Sequence, residues 1–500
     1  MFESAELGQK IEKAVYKREE PKLREGLLNA QYDLLKHSKF PVVVLIAGVD
    51  GAGKGETVNL LNEWMDPRHI ETRAFGLPTD VEREMPPMWR FWMNLPPKGR
   101  TGILFGHWYT APIILRAYGD ISERELDGHL SEIIRFEKML VDEGTLLLKF
   151  WFHLSKKDQR KRLKKLASDK DTAWRVSKTD WKHFKLYDKF RNISERSLRE
   201  TSQPFAPWTI VEGLDPCYRS LTVGRTLLDA VRKRLKQPDA PQTALPSLPA
   251  VARVDGRRVL DTLDLSRKIS DKDYDKQLEK YQGRLNLLLR DPAYPNISAA
   301  LVFEGCDAAG KGGTIRRVTQ AMDARQYRIV PIAAPTDEER AHPYLWRFWR
   351  KLGRRGTFTI FDRSWYGRVL VERVEGFCQK SDWQRAYTEI NDFEEQLDRN
   401  GIVVAKFWLQ ISKGEQLRRF KEREQTPFKR FKITQEDWRN REKWDQYQEA
   451  VSDMVDRTST EIAPWHLISS EDKHAGRIEV LRTLCDTIEA ALKRARKRRK

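Results

Sequence analysis

Short apolar runs that end at a glycine divide this sequence into strands that alternate with helices. Pro41–Gly48 (PVVVLIAG) and Ser298–Gly305 (SAALVFEG) are such runs, and their length and continuity are typical of buried parallel strands. Behind the second run, Ile315, Val318 and Met322 recur at helical spacing. Strands alternating with helices predict an α/β fold in which three layers, α/β/α, form around a parallel sheet.

The whole pattern occurs twice along the chain. Shifting the sequence by 257 positions places Lys54 on Lys311, and LPTDVEREMPPMWRFW then meets APTDEERAHPYLWRFW without a gap. A period this long indicates two homologous domains rather than a solenoid. We therefore predict tandem domains at residues 1–236 and 255–500, joined by a proline-rich linker at 237–254.

A glycine-rich turn links strand to helix in each domain, as GVDGAGKG at 48–55 and GCDAAGKG at 305–312. Such P-loop-like units aim backbone N–H groups at an anion, and the lysine, Lys311 in the second copy, reaches its phosphates. The standard loop continues with Ser or Thr, whose hydroxyl binds Mg²⁺, but here glycine follows. Asp50 and Asp307 lie inside the loops instead. Because carboxylates are natural ligands of Mg²⁺, we infer that these aspartates bind the metal.

A second carboxylate separates the two copies. FDRSWYGR, at 361–368, ends a strand with Asp362 and Arg363, where a second metal ligand and a phosphate clamp belong. The N-terminal copy has Phe105 and Gly106 at these positions. Losing both groups removes metal binding and charge neutralisation together, so we predict that only the C-terminal domain is catalytic.

A dense cluster of cations follows at 416–438, in QLRRFKEREQTPFKRFKITQEDW. We interpret it as a helical lid that closes over phosphates and excludes water, although a solvated helix face is the alternative. The N-terminal lid stays basic, which leaves that copy able to bind a polyanion without reacting it. The candidate phosphate-binding residues are Gly305, Gly310, Gly312, Gly313, Arg368, Arg419, Arg423, Lys429 and Lys432.

The net charge of this 500-residue chain indicates which classes of partner it attracts. Lys and Arg number 92 against 73 Asp and Glu, a net charge of +19, which attracts nucleic acid, anionic membranes or phosphate-rich substrates. The four cysteines show no metal-ligand spacing, and no apolar run is long enough to span a bilayer. These features predict a cytoplasmic protein without a membrane partner.

The motifs together resemble the polyphosphate kinase 2 family. The resemblance rests on GxDxxGKG, PTDEER with WRFW, FDRSWYGRVLVERV and the APW at 463–465, and it covers about residues 20–235 and 265–490. The tandem arrangement is similar to the polyphosphate:AMP phosphotransferase subclass. That similarity implies Mg²⁺-dependent phosphoryl transfer from inorganic polyphosphate to AMP, giving ADP.

The family's catalytic motif is matched residue by residue only in the C-terminal copy, at Asp307, Lys311, Asp362 and Arg363. The N-terminal copy keeps Asp50 and Lys54 but departs from the pattern at Phe105 and Gly106.

Other functions stay open at this point. An ATP-dependent nucleotide kinase shares the fold but usually keeps Lys-Ser or Lys-Thr in its loop. A nucleoside diphosphate acceptor, giving ATP, is an alternative within the family. A polyanion-binding regulatory protein leaves the four intact catalytic-motif residues unexplained. The nearest guanine-type motif, SKTD at 177–180, has no apolar strand before it, and nucleic acid is supported by charge alone. A homo-oligomer is neither indicated nor excluded.

Overall fold

The computed structural model describes residues 1–237 and 258–498. These residues form two compact units, each built on a five-stranded sheet whose paired strands all run parallel. The first unit also includes Pro335–Trp346, and the second also includes Thr79–Trp89. The expected linker lies outside the described residues except for its first position, so the domain boundaries stay a prediction.

The N-terminal half contains five strands, in the sheet order β2-β3-β1-β4-β5. They are β1 Val42–Gly48, β2 Ile70–Ala74, β3 Thr101–Phe105, β4 Leu146–His153 and β5 Trp208–Glu212. Its helices are α1 Lys13–His37, α2 Lys54–Trp64, α3 Asp80–Glu84, α4 Trp89–Trp92, α5 Thr110–Tyr118, α6 Glu123–Asp142, α7 Lys156–Ser168, α8 Lys178–Lys185, α9 Tyr187–Thr201 and α10 Pro216–Lys236.

The C-terminal half repeats this order as β10-β9-β6-β8-β7. Its strands are β6 Ser298–Gly305, β7 Tyr327–Pro331, β8 Phe358–Asp362, β9 Ile402–Gln410 and β10 Trp465–Ser469. Its helices are α11 Asp271–Leu289, α12 Lys311–Thr319, α13 Asp337–Arg340, α14 Trp346–Trp349, α15 Val371–Glu375, α16 Lys380–Arg399, α17 Lys413–Gln425, α18 Gln435–Glu442, α19 Trp444–Thr458 and α20 Lys473–Arg498.

Short 3₁₀ turns complete both halves, at Phe2–Ala5, Pro67–His69, Ala173–Arg175, Val259–Thr262, Tyr294–Asn296, Trp365–Arg368 and Arg430–Lys432. The arrangement confirms the predicted α/β fold, with parallel sheets flanked by helices in two tandem copies. No helix among the described residues is both long and apolar enough to cross a membrane.

The central strand of each sheet carries the glycine-rich loop at its carboxyl end. In the second unit, β6 is buried up to its last residue and pairs with β8 and β9. The register places Phe303 opposite Asp362, two residues before β6 ends at Gly305. Because parallel strands end at a common edge, the loop and Asp362 meet where ligands of open α/β sheets bind.

A buried ion pair holds a flanking helix to the sheet in each unit. Lys149 Nζ lies 2.7 Å from Glu137 Oε2, and Lys406 Nζ lies 2.7 Å from Glu394 Oε2. All four side chains are buried, and each lysine also donates to a backbone carbonyl. Because the same ion pair is buried at equivalent positions in both units, the two units attach this helix to the sheet in the same way.

Candidate active site

The C-terminal loop curls tightly between β6 and α12. Gly305 has φ of 150°, and a Cβ there would lie 2.5 Å from the Leu409 carbonyl oxygen, so only glycine fits. Gly310, at φ 108°, precedes the helix, which begins at Lys311. The Lys311 ammonium donates to the carbonyl oxygens of Gly305 at 2.8 Å and Cys306 at 3.4 Å. The lysine is thus held by carbonyl oxygens of the loop itself.

Asp307 is held at its place in the loop by side chains from three other elements. Its Oδ1 lies 3.2 Å from Nη2 of Arg363, and its Oδ2 accepts from Nδ2 of Asn440 at 2.9 Å. Gln416 donates to its backbone carbonyl at 3.2 Å. The structure therefore brings together Asp307 and Arg363, as the sequence predicts, and adds Asn440 from α18, which the motifs do not include.

The backbone of Arg363 is strained. Its φ is 64°, in the left-handed region that costs a non-glycine residue roughly 1–2 kcal/mol. Its N–H donates to the Phe303 carbonyl oxygen at 3.0 Å. The N-terminal counterpart, Gly106, adopts φ of 75° without that cost. Strain of this kind in a non-glycine residue is typical of functional sites, where the side chain is needed in that position.

A buried hydrogen bond stabilises the turn that contains Arg363. Ser364 Oγ donates to Glu304 Oε1 at 2.8 Å, and both side chains are buried. Burial raises the pKa of Glu304, while Ser364 and the nearby charges of Lys311 and Arg363 act in the opposite direction. Neither Glu304 nor Ser364 belongs to the predicted site. The repeat contains the signal, because the N-terminal copy has Ala47 and His107 instead.

The donor atoms at the carboxyl end of the sheet fit a hard cation such as Mg²⁺. Asp362 ends β8, and among the described residues its carboxylate makes no hydrogen bond or ion pair with another side chain. No group of three His, Cys, Asp or Glu residues suited to a metal occurs in the described ranges. Mg²⁺ commonly takes only one or two carboxylates and completes its shell with water and substrate phosphates. Asp307 and Asp362 suit that kind of site.

Two arginines that the sequence predicts to bind phosphate, Arg419 and Arg368, contact oxygen atoms of the protein instead. Arg419 is buried behind the loop and donates to the carbonyl oxygens of Ala308 at 3.0 Å and Ser470 at 2.7 Å. It therefore braces the loop and does not face a substrate. Arg368 lies 3.0 Å from Glu372, four residues along the chain. Its charge is directed to a carboxylate of its own segment.

The remaining lid cations lie on α17 and the turn after it. Arg423 is in the last turn of α17, Lys429 lies 3.3 Å from Glu422, and Lys432 ends an exposed 3₁₀ turn. The next helix, α18, is anchored by Glu375, whose carboxylate lies 3.1 Å from Nε of Arg439 and 2.8 Å from the ammonium of Lys443, which follows the helix. The lid is thus attached near α18 and exposed at its tip.

Gly312 and Gly313 leave the first turn of α12 bare. Nothing lies within 4 Å of a Cβ placed on Gly312. A Cβ on Gly313 would lie 3.2 Å from Nη2 of Arg477, a residue of α20 that the sequence motifs do not include. A helix N-terminus with no side chains over it, next to a guanidinium, is suited to an anion.

The N-terminal loop keeps the same shape. The Lys54 ammonium donates to the carbonyl oxygens of Gly48 at 2.6 Å and Val49 at 2.8 Å, and burial lowers its pKa. Asp50 Oδ2 lies 2.8 Å from Nδ1 of His183, which occupies the position of Asn440. Loop and lid helix therefore meet at the aspartate in both units.

The N-terminal copy carries its own carboxylate at the helix N-terminus. Glu56, at the position of Gly313, lies 2.7 Å from Arg219, 2.9 Å from Arg162 and 3.6 Å from Arg175. Arg219 is buried and occupies the position of Gly476. Three guanidinium groups are thus directed to an internal anion.

The turn after β3 completes the difference. Phe105 is an apolar residue packed against the core, where the second unit has Asp362. A Cβ on Gly106 would lie 2.4 Å from the Phe75 carbonyl oxygen, so no arginine fits there. Of the groups predicted for catalysis, this copy therefore retains Asp50 and Lys54 alone.

Comparison with known proteins identifies relatives across the whole chain. The family model described as Polyphosphate kinase 2 (PPK2) matches residues 10–239 and 268–496. A protein of Pseudomonas aeruginosa named polyphosphate:AMP phosphotransferase is 58% identical over 494 residues, 99% of this chain and 100% of that protein. A protein of the same name from Pseudomonas syringae pv. tomato is 56% identical over 498 residues, 100% of both chains. A crystal structure described as polyphosphate kinase 2 from Pseudomonas aeruginosa PA01 aligns at a TM-score of 0.90 and 57% identity, covering 99% of each chain.

Proposed function

Because the chain belongs to the polyphosphate kinase 2 family, we propose that it transfers a phosphoryl group from inorganic polyphosphate to AMP and releases ADP. Two relatives matched over their full length are named for that reaction. The observation that carries the proposal here is the preformed loop with the strained Asp362–Arg363 turn beside it. The net charge of +19 suits a polyanionic donor.

The reaction takes place in the C-terminal unit. An ionised oxygen of the AMP phosphate attacks the terminal phosphorus of the chain, and the bridging P–O bond breaks as the shortened polyphosphate leaves with the electron pair. No proton has to be removed from the acceptor, so no general base is required. Positioning and neutralisation of charge on the equatorial oxygens account for the catalysis.

Each C-terminal group has a role in that scheme. Backbone N–H groups of the loop and of α12 bind donor phosphates, and Lys311 exchanges its loop carbonyls for phosphoryl oxygens. Asp307 and Asp362 would hold Mg²⁺, which supplies positive charge to the phosphate oxygens. Arg363, already 3.2 Å from Asp307, directs its remaining N–H groups to the transferred group.

The first test is formation of ADP from AMP, polyphosphate and Mg²⁺ by the purified full-length protein. Asp362→Asn removes a charged metal ligand and is expected to lower kcat by at least about 1,000-fold. Asp50→Asn, the matched change in the other loop, is expected to leave kcat unchanged.

Three results would count against the proposal. Loss of activity in Asp50→Asn with a fully active Asp362→Asn would move the reaction to the N-terminal unit. Turnover of ADP but not of AMP would assign the protein to the class that phosphorylates nucleoside diphosphates. Turnover of neither nucleotide would favour a polyanion-binding role.

A further inference from the structure

A guanidinium group that has no hydrogen-bond or ion-pair partner among the described residues lies beside the C-terminal loop. Arg477 is in the second turn of α20, and its Nη2 would be 3.2 Å from a Cβ on Gly313, with Cζ and Nε at 3.9 Å. The group therefore lies against the bare first turn of α12, two residues after Lys311. Within residues 1–237 and 258–498, the Arg477 side chain makes no hydrogen bond and no ion pair.

The other arginines around this loop have anionic or carbonyl partners. Arg363 lies 3.2 Å from Asp307, Arg368 lies 3.0 Å from Glu372, and Arg419 donates to loop carbonyls. A half-buried guanidinium is partly desolvated and gains most from a charged acceptor. Arg477 differs from the other three because it has no acceptor among residues 1–237 and 258–498.

The N-terminal unit indicates which chemistry belongs at this position. There the counterpart of Gly313 is Glu56, and its carboxylate lies 2.7 Å from Arg219. Arg219 precedes the counterpart of Arg477, Ser220, by one residue on the equivalent helix. In one copy an arginine from this helix is thus satisfied by an internal carboxylate. In the other, the carboxylate is absent, and Arg477 lies over Gly313.

We propose that Arg477 binds a phosphoryl oxygen of the polyphosphate donor at the N-terminus of α12. This inference rests on the proposed function, since it takes polyphosphate as the donor and the C-terminal unit as the reacting one. The planar guanidinium matches phosphate in a two-bond geometry, and the helix N–H groups complete the contact. Arg477 holds a part of the chain that does not react. Its contribution is therefore nearly equal in the ground state and the transition state and appears mainly in KM.

The test is steady-state ADP formation by full-length Arg477→Ala with polyphosphate as the varied substrate. We expect the KM for polyphosphate to rise about tenfold or more, with kcat changed by less than about threefold and the KM for AMP unaltered. The slope of log kcat/KM against log salt should become shallower by about one, because one phosphate contact is lost. Arg477→Lys keeps the charge but loses the fork, and its KM should fall between those of the wild type and the alanine variant.

A matched control removes the same charge elsewhere on the helix. Arg482→Ala takes away an exposed arginine of α20 that pairs with Glu479, and its kinetics should equal those of the wild type. If Arg477→Ala leaves the KM for polyphosphate unchanged while Asp362→Asn is inactive, the inference is wrong and the proposed function stands. If both variants keep full activity, the assignment of the reaction to the C-terminal unit fails, and if the wild type forms no ADP from AMP, the proposed function itself fails. A loss confined to kcat would likewise overturn the assignment, because it would indicate misplaced catalytic groups.

Discussion

In both units the lysine of the glycine-rich loop turns back onto the loop's own carbonyl oxygens. Lys54 donates to Gly48 at 2.6 Å and Lys311 donates to Gly305 at 2.8 Å. A lid helix reaches the loop aspartate in each case, through His183 or Asn440. The loop's shape is therefore maintained equally well by a unit with the full set of reacting groups and by one without it. The conformation of the loop therefore does not distinguish the two units.

The differences between the units come as sets of residues that have to change together. Glu56 and Arg219 replace Gly313 and Gly476. Burying Arg219 without the Glu56 carboxylate would cost free energy of folding, because the buried charge would have no partner. Glu56 without Arg219 would be left at the helix N-terminus without this guanidinium. The pair therefore acts as one structural unit.

A second set surrounds the strained turn. Arg363, Ser364 and Glu304 are replaced by Gly106, His107 and Ala47. The backbone keeps its left-handed conformation in both units, at φ of 64° and 75°. The N-terminal unit lacks the Arg363 side chain and the hydrogen bond between Ser364 and Glu304. The comparison teaches that the side chains of this turn can be exchanged while its backbone conformation stays the same.

The largest expected effect comes from giving the C-terminal loop the carboxylate of the N-terminal one. Gly313→Glu places a negative charge beside Arg477 and at the helix N-terminus, where it competes with the donor for the same groups. We expect kcat/KM for polyphosphate to fall by about 100-fold or more, measured as ADP formation. Gly313→Gln adds the same bulk without charge and should lose about tenfold or less. Equal losses in the two variants would show that bulk, not charge, closes the loop.

A smaller effect is expected when the support of the strained turn is removed. Glu304→Ala takes away the acceptor of Ser364 Oγ, so Arg363 can relax from its left-handed conformation. We expect kcat to fall about 30-fold while the KM values stay within about twofold, since a small displacement of aligned groups is enough. Glu304→Gln, which keeps an acceptor oxygen, should retain most of the activity.

The shared hydrogen bond gives this prediction an internal control. Ser364→Ala breaks the same contact from the other side, so the double variant with Glu304→Ala should be no slower than either single variant. Multiplying losses would mean that the two residues act separately, and the turn would then not depend on their contact.

Much of this site can be predicted from the sequence because its signals are local. The apolar runs that end at Gly48 and Gly305 fix the central strands, and the spacing to Lys54 and Lys311 fixes the loops. Asp307 and Arg363 lie 56 positions apart in sequence but are in contact. Asp307 lies in the loop after β6, and Arg363 directly follows β8, the strand that pairs with β6. Strand order and motif position together suffice for that contact.

The partners of arginines cannot be predicted in the same way. Whether Arg419 faces a phosphate or a carbonyl depends on Ser470, which is 51 residues away and brought near only by the packed sheet. Asn440 and Arg477 belong to no motif, and single polar residues on helices are normally solvated. Comparison of the two repeats does single out these positions, because the N-terminal copy has His183 in place of Asn440 and Ser220 in place of Arg477.

The smallest expected effect concerns acid sensitivity and distinguishes the two turns without any substrate. His107 is buried at the position of Ser364, next to Tyr109 and Trp208, and burial lowers its pKa to about 3. In the unfolded chain its pKa is about 6.5, so between these values the unfolded state binds the proton and the folded state does not. The stability of the N-terminal unit therefore falls as the pH decreases below about 6.5. Ser364 does not titrate, and its partner Glu304, whose pKa burial raises, contributes a pH dependence of the opposite sign.

His107→Asn removes the titration while keeping a side chain of similar size. Between about pH 7 and pH 5.5 the wild type should lose about 1 kcal/mol more of its free energy of unfolding than the variant, as urea denaturation at the two pH values would measure. Because the size of the side chain affects stability at both pH values alike, the difference between the two slopes isolates the imidazole. Kinetics should be unaltered at pH 7, since position 107 lies in the unit proposed not to react. Parallel slopes for wild type and variant would mean that the pKa of His107 is the same in the folded and the unfolded chain. Burial would then not exclude the proton, and the imidazole of the N-terminal turn would become charged in the folded protein as the pH falls.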